Sequence, residues 1–248
     1  MTNLYKQKSS TPPYYLNKCY TELVSVNHSP TILPVQCTKK AFTLAEVLIT
    51  LVIIGVIAAL TVPTLINKTN NQETVSKLKK TYSTLSQTTN LIIAEEGLPK
   101  NNWATTNKNV YDMYKKYLNN AKECGYSSNC FSQELRGLYS QSVYSSKSIN
   151  SDTSMLVLAD GTQILFGSAD STCQVNGAGN GTQNGCARVW VDLNGMKKPN
   201  TFGKDVFEFV LKENGLYPAG CDVNACNNNN SSGFGCACKV LREGAINY

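Results

Sequence analysis

The sequence predicts an α+β protein. One long N-terminal helix, apolar all round in its first half and striped in its second, packs on a small antiparallel sheet, and disulfides staple the C-terminal region. Three observations carry this expectation. Residues 41–66 form a run of 26 residues with a single ionisable side chain, Glu46. Val75, Leu78, Tyr82, Leu85, Thr89 and Ile92 then recur at gaps of three and four, the period of a helix with one buried face. Beyond residue 150 the period falls to two, as in half-buried strands.

The chain has 248 residues, 42% of them hydrophobic, enough for one domain with its own core plus additional segments. Its net charge of +6 is unevenly placed. Residues 1–41 carry five lysines against one acid, Glu22, and the remainder holds 18 basic and 16 acidic residues. No basic patch with interleaved aromatics stands out there, so the composition gives no footprint for nucleic acid. Ten cysteines, mostly in Gly/Asn-rich sequence, suit disulfides in an oxidising compartment. Zinc is disfavoured, because no pair of C-x-x-C knuckles appears and the one histidine is His28.

Phe42–Ile66 is long enough to cross a bilayer, which takes about 20 apolar residues at 1.5 Å each. Lys39 and Lys40 precede it and no basic residue follows until Lys68. That asymmetry places the N-terminus in the cytoplasm and delivers the later cysteines outside. A secretory signal has a shorter apolar core, with Ala58–Ala59 as its cleavage site. A plain anchor is the other simple reading. Neither gives Glu46 a purpose, since an acid within a span costs about 2.5–3.5 kcal/mol on insertion scales, and snorkelling from near the span's end only lowers that cost.

The string KKAFTLAEVLITLVIIGVIAALTVP (39–63) closely resembles the N-terminus of type IV prepilins and type II secretion pseudopilins. The resemblance implies a pilin-like fold. It also implies a prepilin peptidase that cuts between Ala41 and Phe42 and methylates the new amine of Phe42. Glu46 falls on the family's acid, and Gly55 and Pro63 fall on its helix-loosening glycine and proline. Ala41 departs from the usual glycine before the cut, though it is the smallest chiral substitute. The partners implied are the peptidase, other pilin or pseudopilin subunits, an inner-membrane assembly platform and membrane lipid. The location implied is the bacterial inner membrane, single-pass with the C-terminal domain outside, and then a filament. Glu46 lies one helical turn from the Phe42 amine; pairing between one subunit's Glu46 and the next subunit's amine would set axial register.

This divides the chain into a cleaved extension (1–41), a membrane and assembly helix (42–66) and an extracytoplasmic globular domain (67–248) that includes the striped half of the helix. The Ser/Thr/Pro-rich extension lacks helical periodicity and reads as unstructured. It is either a long leader or an over-called start with translation beginning nearer Lys39, for example at Val35 or Leu33; the second is preferred.

Further along, Gly97 and Pro99 end the long helix at Glu96. A second helix is predicted over Val110–Ala121, where Val110, Met113, Tyr114, Tyr117 and Leu118 share a face. SMLVLADGTQILFG (154–167) reads as a hairpin with Asp160–Gly161 as a two-residue turn. ARVWVDL (187–193) and VFEFVL (206–211) alternate, giving a sheet of four strands on the helix stripe.

VDLNGMKKPNTFGKDVFEFVLKENGLYPAG (191–220) is similar to a C-terminal signature of prepilin-like proteins, Asp-x-Asn-Gly…Pro-Asn…Gly-x-Asp-x-Phe. Major pseudopilins hold calcium in this region, so the resemblance implies calcium ligands at Asp192, Asn194, Asn200 and Asp205, whose oxygens suit that ion. The same residues also suit plain turns, and the turn reading is preferred. The disulfide candidates are Cys124 with Cys130, which bracket a short loop, Cys173 with Cys186, and Cys221, Cys226, Cys236 and Cys238, which leave their pairing open.

No catalytic arrangement is legible. Residues 42–248 contain no histidine for a Ser–His or Cys–His pair, GAGNGTQNG lacks the lysine and strand–helix setting of a phosphate loop, and Glu95–Glu96 reads as a solvated helix end. The sequence therefore points to a structural subunit, a pseudopilin or minor pilin, and not to an enzyme. The competing class is a membrane-tethered binding or adhesion domain that does not polymerise.

Overall fold

The computed structural model describes residues 42–118, 122–125, 130–131, 134–139, 143–145, 154–175, 184–221, 226 and 232–248. Ala41 and the extension before it lie outside these residues. The chain divides into two compact units, one reaching to Val62 and the other running from Pro63 to Tyr248. Together the long helix, the antiparallel sheet and the C-terminal disulfides make an α+β, pilin-like fold.

Helix α1 (Leu44–Glu96) spans 53 residues, with Pro63 inside it. In the second unit its buried residues are Val75, Leu78, Thr81, Leu85, Thr88, Thr89 and Ile92, the stripe legible in the sequence. Tyr82 is half-buried at the edge of that stripe. Gly97, at φ +86°, takes the left-handed conformation that ends the helix, and its N–H donates to the Ile93 carbonyl at 3.1 Å.

A turn over Pro99–Trp103, fixed by Trp103 Nε1 donating to the Gly97 carbonyl at 2.9 Å, leads into α2 (Asn107–Tyr117). This helix begins earlier than the apolar spacing predicts, because its start is set by a cap. Thr106, four residues before the first apolar position at Val110, accepts the Asn109 N–H at 3.2 Å. It also ends earlier, at Tyr117, and Ala121 lies outside the described residues.

The main sheet has six strands, all antiparallel neighbours, in the order β1-β4-β5-β6-β7-β8. They are β1 (Lys122–Gly125), β4 (Ser154–Val157), β5 (Gln163–Gly167), β6 (Ala187–Asp192), β7 (Val206–Lys212) and β8 (Gly215–Pro218). A separate ribbon pairs β2 (Glu134–Arg136) with β3 (Val143–Ser145). The four expected strands are β4 to β7. The two added ones are short edges carrying glycine or proline, so they lack an alternating run to read.

The β4–β5 hairpin corrects the expected turn. Leu158 N–H donates to the Thr162 carbonyl at 2.8 Å and Gly161 N–H to the Leu158 carbonyl at 2.9 Å, so the loop is the three residues Ala159–Asp160–Gly161. Gly161, at φ +83°, occupies the left-handed third position that such loops require. Asp160 adds a second link, accepting from Lys80 of α1 at 2.8 Å.

The central strands are buried on both faces, and the two-residue period assigns each side chain to one of them. Leu156, Ile164, Phe166, Val189, Val191, Phe207, Phe209 and Leu211 join the helix stripe and α2 in the larger core. Met155, Leu165, Trp190 and Val206 face the other way, against Phe131, Leu135, Phe202 and Phe234. Glu208 sits on that second face with no exposure. Its carboxylate accepts from Trp190 Nε1 at 3.0 Å, with Arg188 Nε 3.6 Å away, partners that make a buried charge tolerable.

The C-terminal segment ends in a helix the sequence did not announce, α3 (Cys236–Glu243). Cys221 bonds to Cys238 and Cys226 to Cys236, while Cys124–Cys130 and Cys173–Cys186 close the earlier loops. Gly220 and Gly233 have positive φ, and a Cβ at either would strike the backbone of Gly235 or Phe202. Only glycine allows that approach.

Candidate processing and assembly site

From Phe42 to Val62, the described part of the first unit, the exposed side chains are mostly apolar. Among the described residues, fifteen of the twenty exposed large hydrophobic side chains lie between Phe42 and Ile66. The most apolar 18-residue window of α1 has a mean hydropathy of 2.6, and none of it is buried within the chain. A segment this apolar needs lipid or protein around it.

Phe42 stands at the head of this segment with its side chain 88% exposed. Behind it, Thr43 and Glu46 make a reciprocal cap. Glu46 Oε2 accepts from the Thr43 N–H at 2.8 Å and from Thr43 Oγ1 at 3.0 Å, and the Glu46 N–H donates to Thr43 Oγ1 at 3.2 Å. Two of the helix's orphan N–H groups are thereby satisfied. Glu46 thus has a capping role inside its own chain in addition to the register role expected of it. The Thr-x-x-Glu spacing before an apolar run was the available signal.

Gly55 lies nine residues beyond Glu46 in α1, and a Cβ there would meet nothing within 4 Å. Packing within the chain therefore does not require glycine at this position. Pro63 opens the second unit, where α1 passes from the wholly apolar run into the striped half.

The four oxygen-bearing residues of the 192–205 loop are brought together by hydrogen bonds. Asp205, almost fully buried, accepts from the Asn200 N–H at 2.8 Å, the Thr201 N–H at 2.6 Å and Asn194 Nδ2 at 3.1 Å. Asp192 accepts the Asn194 N–H at 3.2 Å in an Asx turn. Burial pushes the Asp205 carboxyl up and outweighs the donors that pull it down, so a nearby cation would be electrostatically favourable. The Asp205 oxygens are occupied by N–H donors, and only the amide oxygens of Asn194 and Asn200 are buried without a partner. Calcium takes about six to eight oxygens, and among the described residues no group of three or more His, Cys, Asp or Glu side chains suits a metal. The hydrogen bonds staple the loop through the Asp205 carboxylate, and the amide oxygens of Asn194 and Asn200 remain as buried acceptors beside it. Asp205→Ala is expected to lower the melting midpoint of the full chain by removing three acceptor contacts, at a cost of about 2–4 kcal/mol. Calcium or chelator should leave the wild-type midpoint unchanged; a rise with calcium would contradict the staple.

Two family models match this chain. Residues 37–62 match the prokaryotic N-terminal methylation motif. Residues 64–231 match a family of unknown function, DUF6613. The chain belongs to the DUF6613 family. Neither the curated proteins nor the solved structures gave a match. This DUF6613 protein therefore joins a prepilin-type cleavage and methylation signal to the globular unit that defines its family. The boundary between the two matches falls beside Pro63, where the structure also divides. The motif marks a pilin- or pseudopilin-like processed subunit, a structural role, and one apolar helix is consistent with a single-pass membrane anchor.

Proposed function

We propose that this protein is cleaved between Ala41 and Phe42 by a prepilin peptidase, is methylated on Phe42, and assembles into a type II secretion pseudopilus or a type IV pilus-like filament. Residues 1–41 are discarded, residues 42–66 hold the subunit in the inner membrane and then in the filament core, and residues 67–248 form the extracytoplasmic head. The observation that carries the reading is the unburied apolar half of α1, headed by Glu46 and overlapping the methylation motif over residues 42–62. A plain tether needs the apolar length alone. A polymer needs the same surface buried between subunits, with a charge to fix their offset. Gly55, with open space around it, offers a place for neighbouring helices to approach closely.

The test is photo-crosslinking in membranes from a residue of the apolar half. A photoreactive phenylalanine at Ile53 should give a ladder of dimers and higher oligomers of the processed chain. Monomers alone, with processing intact, would assign the helix to tethering.

A further inference from the structure

Cys221 bonds to Cys238 and Cys226 to Cys236, so the last four cysteines close one loop nested inside another. The four before them do not: Cys124–Cys130 and Cys173–Cys186 each join cysteines that are consecutive in the chain. The nesting depends on α3. Cys236 and Cys238 lie two positions apart in that helix, so at 3.6 residues per turn their side chains diverge by about 200°. Once α3 has formed they cannot bond to each other. Cys236 is then fully buried beside Leu138 and Cys226, and the Cys238 N–H donates to the Ala219 carbonyl, two residues before Cys221, at 3.1 Å. Helix α3 in turn needs the sheet. Eight residues are too few to hold a helix alone, and Ala237 and Val240 are buried in the larger core with Phe207, Phe209 and Leu211 of β7. The geometry of the nested pairs therefore exists only after the sheet is in place.

Before that point another pair is favoured. Cys226 is five positions from Cys221 and 10 from Cys236, while Cys221 is 17 from Cys238. Loop closure weakens as about the 3/2 power of length, so Cys221–Cys226 leads the native partner by about threefold at Cys226 and about sixfold at Cys221. A head delivered from its membrane end also exposes Cys221 and Cys226 to oxidant before Cys236 and Cys238. We propose that this head is a substrate of a thiol–disulfide isomerase, which reopens a Cys221–Cys226 bond and lets the nested pairs form. The inference rests on the extracytoplasmic head of the proposed function. An isomerase thiolate attacks Cys226 Sγ, the bond to Cys221 breaks, and Cys221 leaves as a thiolate. The Cys236 thiolate then attacks Cys226 Sγ in the mixed disulfide and expels the isomerase thiolate, an exchange with no net oxidation. Cys221 and Cys238, both reduced, finally pass two electrons and two protons to the disulfide of an oxidising protein partner. The exchange precedes closure of the segment, because the finished Cys226–Cys236 bond is buried.

The full chain would be expressed in two strains of a bacterial host, both with the protein oxidant and one without the isomerase. Thiols would be trapped by alkylation and the bonds mapped by peptide mass spectrometry. With the isomerase the nested pairs should predominate. Without it a Cys221–Cys226 bond should appear and the nested share should fall by at least about threefold, while Cys124–Cys130 and Cys173–Cys186 stay paired in both strains. The Cys226→Ser/Cys236→Ser variant lacks the competing partner, so its Cys221–Cys238 bond should form equally in the two strains. Equal nested shares in both strains, a fall without any Cys221–Cys226 bond, or a variant that still needs the isomerase would each overturn the proposal. Free thiols at all eight positions in both strains would instead overturn the extracytoplasmic head, and this proposal with it.

Discussion

Glu46→Gln is expected to abolish filament assembly while leaving the head folded and the chain in the membrane. Glutamine keeps a side-chain oxygen that can accept from Thr43 and is itself a capping-box residue, so the local hydrogen bonds at 2.8 and 3.0 Å need not be lost. What disappears is the charge that would pair with a neighbouring subunit's amine. Thr43→Ala does the converse. It removes the hydroxyl from the cap, at about 1 kcal/mol, and leaves the carboxylate in place. If charge pairing sets the register, Glu46→Gln subunits stay monomeric in crosslinking and Thr43→Ala subunits polymerise. If the cap alone matters, Thr43→Ala fails and Glu46→Gln assembles.

Phe209→Ala should be the most damaging single change in the head. Phe209 has no exposure and lies on β7, between β6 and β8. Its ring stacks on Tyr82 of α1 with centroids 5.4 Å apart and planes 3° from parallel. Truncation removes the aromatic surface that joins sheet to helix and leaves a cavity among close-packed neighbours. Such changes cost about 3–5 kcal/mol, a large share of the roughly 5–15 kcal/mol that holds a domain folded. Thermal unfolding followed by circular dichroism should show a much lower midpoint or no folded baseline. A midpoint within a degree or two of wild type would contradict the assignment of Phe209 to the core.

The elements legible in the sequence are those with long, consistent periods. The α1 stripe from Val75 to Ile92 and strands β4 to β7 follow from spacing, because each buries a regular set of side chains. Strands β1 and β8 and helix α3 leave weaker traces. Lys122–Gly125 and Gly215–Pro218 are short edge strands whose pairing is supplied by β4 and β7. Helix α3 has eight residues and a glycine at its N-cap, and two disulfides tie it to the loop before it.

The candidate site divides in the same way. Glu46 is conspicuous because a lone acid in an apolar run costs free energy, whereas its partner Thr43 carries no charge to set it apart from that run. Asp192, Asn194, Asn200 and Asp205 were recognisable as a group from their spacing. Which of them accepts from which backbone N–H depends on how the loop closes on Asp205, and no sequence pattern records that.

The central claim is that the apolar helix begins its mature life at Phe42. Intact and peptide mass spectrometry of the protein purified from membranes of a strain with an active prepilin peptidase tests this directly. The account predicts a chain starting at Phe42 and carrying one methyl group on its amine. A chain cleaved after Ala59, or an intact one that retains Lys39, Lys40 and Ala41, would contradict it.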